Sequence, residues 1–547
     1  MDDSGKNRDI HEDHKQLAKS SIYSLLNNYG IFVFQIVISI FIANLISQSL
    51  WSYLILAMAY INIISLVLSL FPPALNLALN YYIPRYSTFG HNNRLKYMIK
   101  TAIYFKTLFA IIIFLISLVV FSLLNSVFSF FLADYTYLLF LLSPLIIIIG
   151  LSTLLDSIFQ GLFKYKLIFI ITVIKYAFNV TALLICILIR AESLEIIAYI
   201  YLISYLIPFI ISLLVFVKIY VNIKHSTEST ASFKKVLLKL SKYGTPLSIT
   251  VFLNETWKQL QSPIIRLYEP EIIITGFTVS KYYSQISLTA SSSFSTPLIT
   301  SFSSLDAKSE QNQISQIYAL IFRYSSFVLL LICGILFILT DFFLIFAYDQ
   351  TYLIHVPILR LYLLSIIFTT LGNLFVPLLN ALNKVKLLPV LTIVNLVIII
   401  ASFMIGLIIS GILGAIIGLV ISKFIVFLIQ VVLSIKIGNI KLNLNRTIYQ
   451  YLIFFIALII AVLLEEIVFK NIRIQILQPL NMPILNYFSL FSSLTFLIIY
   501  LVLNAVFKIF AVSEIEYLEA LIGTDKRQRR FITSMLKIFK KILCWRS

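Results

Sequence analysis

Apolar runs of about 20 residues, each closed by a short polar or charged connector, follow one another along nearly the whole chain. A helical run of that length matches the hydrocarbon thickness of a bilayer and is much longer than a core strand. The alternation expected of a β-barrel strand is absent. Hydrophobic residues fill 60% of the 547 positions and charged residues only 12%, which excludes an ordinary soluble domain. The chain is predicted to be an all-α, polytopic membrane protein.

An internal repeat organises these runs. Gln160-Gly161-Leu162-Phe163-Lys164-Tyr165-Lys166-Leu167 aligns with Asn380-Ala381-Leu382-Asn383-Lys384-Val385-Lys386-Leu387, and Thr172 with Thr392. Tyr29-Gly30 and Tyr243-Gly244 each open an apolar run at a similar offset. Spans are predicted at about 22–47, 51–83, 101–124, 136–158, 167–189 and 195–217, then 243–266, 271–301, 317–340, 355–379, 388–409 and 411–435, and finally 448–469 and 486–510. That makes about fourteen transmembrane helices: two parallel six-helix lobes around a central cavity, plus two accessory helices. Duplicated bundles of this kind mark secondary transporters, whose site lies between the repeats. The division is an N-terminal segment (1–21), an N-lobe (22–217), a basic connector (218–242), a C-lobe (243–435), accessory helices (436–510) and a basic tail (511–547).

Charge sets orientation. Arg85, Arg94, Lys96 and Lys100, then Lys164 and Lys166, then Lys218, Lys224, Lys234, Lys235, Lys239 and Lys242, fall on one set of connectors with Lys384, Lys386, Lys436, Lys441 and Arg446. The positive-inside rule then places both termini in the cytoplasm of a cell-membrane protein. It also accounts for the net charge of +19, so nucleic acid is not an expected partner. No cleavable signal is visible, and the first apolar run is expected to stay as the first span. Lys526-Arg527-Gln528-Arg529-Arg530 precedes an amphipathic pattern with apolar residues at 531, 535, 538, 539 and 542. It reads either as a helix on the anionic inner leaflet or as a topology anchor. Pro72-Pro73 interrupts an overlong second span, where a kink or local unwinding is expected, and Pro246, Pro263, Pro297 and Pro377 repeat the pattern.

Ionisable groups inside spans are costly and point to a cavity or a partner. The seventh span holds Asn254, Glu255, Lys258, Gln261 and Arg266, with Asn254, Lys258, Gln261 and Ile265 on one helical face. This is either a net-basic cavity wall that receives an anionic group or a self-satisfied pair of Glu255 with Lys258 or Gln259. Lys281, beside Tyr282, lines a cavity or snorkels to the interface. Arg85 anchors topology or meets a lipid phosphate. Lys175, near Asn179, is a further cavity candidate. Lys106, Arg323, Arg360 and Lys423 are expected to snorkel or pair, Arg266 to snorkel, and Asp156 to pair with Lys164 or Lys166. His11, His14, His91, His225 and His355 are scattered and expected to be solvated. No metal site, cofactor motif or catalytic constellation is indicated, so an enzyme is not expected. Embedded positive charges outnumber carboxylates, which suits a phosphate-bearing substrate better than a cation.

Several segments resemble a known family. Pro72, Pro73 and Arg85 precede a basic inner loop, and Gln160-Gly161-Leu162 leads into its basic turn. Leu240-Ser241-Lys242-Tyr243-Gly244-Thr245-Pro246-Leu247 opens the second bundle, and Gly276-Phe277-Thr278-Val279-Ser280 is followed by Pro297. Gly411-Ile412-Leu413-Gly414-Ala415-Ile416-Ile417-Gly418 opens the twelfth span. In order and spacing these resemble polysaccharide biosynthesis flippases (the Wzx type) of the multidrug/oligosaccharidyl-lipid/polysaccharide, or MOP, exporter superfamily, over roughly 17–510. The resemblance implies flipping of a polyprenyl-(pyro)phosphate-linked oligosaccharide, with Lys258, Lys281 and Arg85 at the phosphate and polar or aromatic neighbours at the sugars. Membrane lipids, a glycan polymerase and glycosyltransferases are the partners it suggests. Thr278-Val279-Ser280 departs from the usual tyrosine-containing stretch. The first span offers only Gln35 and Asn44 as polar cavity residues, which counts against a lipid II substrate. Two alternatives stay open. A cation-coupled drug exporter would use Glu255 as its coupling-ion residue. A membrane glycosyltransferase or polymerase would need acid–base groups in a large outer loop, and the connector 470–486 has none.

Overall fold

The computed structural model describes residues 26–70, 75–88, 92–223, 233–292, 311–382, 387–469 and 488–510, together with Tyr23 and Lys384. Every regular element among them is helical. The chain runs through α1 (Leu26–Leu45), α2 (Gln48–Leu70), α3 (Leu75–Thr88), α4 (Asn92–Leu123), α5 (Asn125–Leu132), α6 (Tyr137–Leu142), α7 (Leu145–Gly161), α8 (Tyr165–Ile189), α9 (Leu194–Val221) and α10 (Phe233–Tyr268). It continues through α11 (Glu271–Ser292), α12 (Gln311–Ile338), α13 (Thr340–Ala347), α14 (Val356–Ile366), α15 (Thr370–Ala381), α16 (Leu387–Gly438), α17 (Leu444–Leu464) and α18 (Phe488–Val506). Pro72, Pro73, Pro297, Lys386, the segment 1–21, part of the basic connector and the tail 511–547 lie outside the described residues.

Ten helices among the described residues are long and apolar enough to cross a membrane. The fourteen spans expected from the sequence require, besides these, α10, α11, the α14–α15 pair and a second crossing within α16. α10 and α11 fall short on apolarity because they carry the polar residues singled out above. Large apolar side chains point outward: Leu123, Leu188 and Ile409 are each 75% exposed. Such a surface is costly in water and suited to lipid chains. α10 stays one helix through Pro246 and Pro263, and α15 through Pro377, so the backbone is not unwound at these prolines. Membrane helices tolerate proline when neighbours satisfy the freed carbonyl.

The repeat is visible in local geometry. Phe163 adopts φ 57°, its N–H donates to Gln160 O at 2.9 Å, and the Lys164 N–H donates to Phe159 O at 2.8 Å. This is a Schellman ending, in which a left-handed residue stops the helix and satisfies its last carbonyls. In the second copy the Lys384 N–H donates to Leu379 O at 2.9 Å, the same bond 220 positions later. Lys384 Nζ also donates to Ile437 O at 2.9 Å, placing a cation at the negative end of a helix. The resemblance extends to segments that no sequence motif marks. Eight-residue helices, α5 and α13, are each followed by a 3-10 turn (Ala133–Tyr135 and Gln350–His355) and then by a helix in two pieces.

Two compact units are present. The first contains the described residues up to Tyr282 with Lys386–Ala401 and Leu407–Ile412. Its core joins α3, α4, α7 and α9 through Leu79, Ile83, Met98, Leu155, Phe159 and Phe216. A Cβ on Gly150 would meet Leu68 Cδ1 at 2.6 Å, and one on Gly161 would meet Ile83 Cβ at 2.8 Å, so α7 can approach α2 and α3 this closely only with glycine there. α10 lies along α2; Thr275 Oγ1 donates to Gln48 O at 2.7 Å and Asn62 Nδ2 to Gln259 Oε1 at 3.4 Å. By packing, the seventh span and the first half of the eighth therefore group with the N-terminal helices, a division that follows contact rather than the repeat.

The second unit contains Tyr283–Val385, Ser402–Gly406 and the described residues from Leu413 onward. α17 and α18 dock on α12 through Gln450 Nε2 to Arg323 O (3.1 Å), Tyr500 OH to Phe327 O (3.4 Å) and the ring of Phe496 against Gly334. α16 is broken by non-helical backbone at Ser410 and Gly411. Its two arms fold back on each other: a Cβ on Gly406 would overlap the Gly414 carbonyl, and one on Gly418 the Ser402 carbonyl. Small residues four apart are what let two membrane helices bring their backbones together.

Candidate functional site

The candidate residues in the first unit sit on α3, α8, α10 and α11. Lys258 Nζ donates to Glu255 Oε1 at 2.6 Å, three residues back on α10. The Lys258 side chain is 62% exposed, so this pair contributes little to stability. Its effect is on charge, since the one carboxylate beside the lysine is already matched. Lys281 Nζ on α11 donates to the Lys258 carbonyl oxygen at 3.4 Å and lies 4.5 Å from the Phe277 ring centroid. Lys258 and Lys281 are near enough to repel each other.

The single face expected on α10 is not uniform. Asn254 is half-buried, whereas Gln261 (6% exposed) and Ile265 (0%) are packed away. Arg266 pairs with Glu271 at 3.5 Å and donates to Glu269 O at 3.4 Å, so it is held by protein rather than snorkelling alone. Arg85 lies on α3; its side chain is outside the described residues.

Lys175 does not rely on Asn179. Its Nζ sits 3.4 Å from the Tyr205 ring centroid and 5.1 Å from that of Tyr176. Cations favour such faces because of the ring quadrupole. Asn179 instead donates to Ser204 Oγ at 3.3 Å, fixing α8 against α9 beside these rings. Tyr176 stacks on Phe34 at 5.6 Å, with Gln35 beside it. Tyr201, Tyr205 and Tyr282 lie close enough to Tyr176 or to one another to interact electrostatically. Asp156, expected to pair with Lys164 or Lys166, lies near enough to Lys175 on α8 to feel its charge. Tyr201, Tyr282 and Lys281 are half-buried.

Sequence reading missed the tyrosines of α8 and α9. A usable signal existed: Tyr201 and Tyr205 are four apart on one face, inside a span and away from the interfacial belt where tyrosine usually sits. In the second unit Arg360 pairs with Asp341 at 3.1 Å. His355, expected to be solvated, is fully buried against the Tyr352 ring, because the 3-10 turn before α14 folds it inward.

No protein-family model matches the chain, and no curated protein matches it. Solved structures do. An inward-facing multidrug resistance MATE family transporter of the MOP superfamily superposes with a TM-score of 0.61 at 13% identity, over 76% of this chain and 98% of its own. The lipid II flippase MurJ in an inward closed conformation gives 0.57 at 14% identity, over 89% and 98%. A MOP superfamily transporter from Pyrococcus furiosus gives 0.53 at 13%, over 78% and 96%. The chain thus shares the fold of the MOP-superfamily transporters.

Proposed function

We propose that this protein is a membrane flippase that moves a polyprenyl-(pyro)phosphate-linked oligosaccharide across the cytoplasmic membrane by alternating access, for polysaccharide or glycoconjugate synthesis. The observation that supports this reading is the Lys258–Lys281 neighbourhood, two cations close enough to repel each other, with the Glu255 carboxylate beside them held by Lys258. A phosphate satisfies such a site; a cationic drug does not. Lys258 and Lys281 bind the lipid-linked phosphate and Arg85 meets it at the inner mouth, with Asn254, Gln261 and Lys175 as further substrate contacts. Fourteen helices form two six-helix lobes around a central cavity, with helices 13 and 14 accessory. Both termini are cytoplasmic, and the basic tail rests on the anionic inner leaflet. A glycan polymerase or glycosyltransferases act alongside it.

The flippase and drug-exporter structures share the fold equally, so the sign of the charges decides between them. For the Pyrococcus protein, too, a reversed pocket polarity was taken to suggest a different function. The lipid II flippase structure also matches more of this chain than the multidrug transporter does, 89% against 76%. The cation-coupled exporter reading rests on Glu255 as the coupling-ion residue, and that carboxylate is held by a lysine. The test is Lys258→Gln with membrane protein level followed. Glycan export should fall sharply at constant level, and unchanged export overturns the assignment.

A further inference from the structure

Lys258 and Lys281 are held at rest in different ways. Lys281 Nζ rests on a backbone carbonyl, that of Lys258 at 3.4 Å, and on the Phe277 face at 4.5 Å from its centroid. These are neutral partners, which an arriving anion does not have to displace. Lys258 Nζ instead donates to a full negative charge, Glu255 Oε1 at 2.6 Å. The two side chains are 62% and 39% exposed, so the pair is open to a ligand and costs little to part. A phosphate monoester carries about 1.5 to 2 negative charges near neutral pH. On Lys258 it would stand beside the Glu255 carboxylate, and like charges at such range repel. The carboxylate then needs a second seat.

The helix provides one. Residues three and four apart share a helical face, so Glu255 reaches Gln259 as well as Lys258. The Gln259 amide is already oriented: its Oε1 accepts from Asn62 Nδ2 of α2 at 3.4 Å, which turns its donor, Nε2, to the other side. A carboxylate accepts from such a group. We infer that Glu255 is an internal counter-ion of the phosphate site, moving from Lys258 to Gln259 when phosphate arrives and returning when it leaves. This rests on the flippase reading. A transporter must release what it binds, and a carboxylate that competes for the same lysine loosens the grip without abolishing recognition.

The experiment uses the full chain in nanodiscs and two probes, a polyprenyl monophosphate and the corresponding polyprenol. Binding is followed by tryptophan fluorescence, since Trp257 adjoins Lys258 in the chain. Glu255→Gln should bind the monophosphate about two- to fivefold more tightly than the wild type, the scale of an exposed ion pair, and leave polyprenol binding unchanged. Gln259→Leu should weaken the monophosphate by a similar factor in the wild type and have no effect once Glu255→Gln is present. That dependence separates a seat for the carboxylate from a direct ligand contact or a structural tie to Asn62. A wild-type affinity in Glu255→Gln, or an equal loss from Gln259→Leu in both backgrounds, overturns the counter-ion role and leaves the flippase reading standing. A wild type that binds the monophosphate no more tightly than polyprenol removes the flippase reading and the counter-ion role with it. Should Glu255→Gln lose the lipid altogether, Glu255→Ser decides: it removes the same charge and should show the same tightening, and a second loss counts against the role.

Discussion

Lys106 Nζ donates to the Leu68 carbonyl oxygen at 2.5 Å. In a continuing helix that carbonyl would accept from residue 72, but residue 72 is proline and has no N–H to give. A buried ammonium, 3% exposed, thus meets a carbonyl that the proline leaves without its usual donor. The two defects answer each other. Lys106→Met should destabilise by about 1–2 kcal/mol through the orphaned carbonyl, and Pro72→Ala should destabilise by leaving the ammonium without a partner. The double variant should recover most of both losses. Thermal unfolding of the four proteins in detergent gives the coupling; strict additivity would sink the relationship.

Gly411 has φ +61° and ψ −149°, a region reserved for glycine, and a Cβ there would overlap Glu269 Oε1. The same oxygen accepts from the Ile412 N–H at 2.7 Å, capping the second arm of α16. Gly411→Ala should cost about 1–3 kcal/mol, and Glu269→Ala about 1–2 kcal/mol as a lost cap. Both should appear as lower melting temperatures, with the glycine variant the worse. Equal stability in Gly411→Ala would contradict the backbone assignment.

The two arms of α16 touch through backbone at Gly406 and Gly418. Gly418→Leu must separate them, because its Cβ would meet main chain rather than a movable side chain. Size-exclusion profiles should show aggregated or degraded protein for Gly418→Leu. Gly30→Ala, where nothing lies within 4 Å of the added carbon, should behave as wild type.

Glu255→Gln separates the two transport readings. In a phosphate-binding site it frees Lys258, so affinity for a phosphate lipid should rise a few-fold and glycan export should persist. In a cation-coupled exporter the same change removes the coupling carboxylate, and ion-dependent efflux should vanish. Vesicle transport with and without a sodium or proton gradient reads both outcomes.

Much of the helical order was legible in the sequence because apolar length is a strong signal. The break between the eleventh and twelfth spans was expected at residue 410 and is found at Ser410–Gly411. The Glu255–Lys258 pair followed from spacing alone, and it forms. What was hidden depends on long-range packing. Nothing local says that Lys106 reaches Leu68, that Lys175 turns to Tyr205 rather than Asn179, or that Gln261 packs away from the face of Lys258. His355 misled for the same reason: a lone histidine in a connector looks wet until the turn around it is known.

The break in α16 decides more than a shape. Unbroken, 52 residues would make a rod of about 78 Å, more than twice the ~30 Å of bilayer hydrocarbon. As a hairpin, the segment enters and leaves on the same side. In a bilayer, two arms of this length in place of one rod would return the chain to the side on which α16 began before α17 starts.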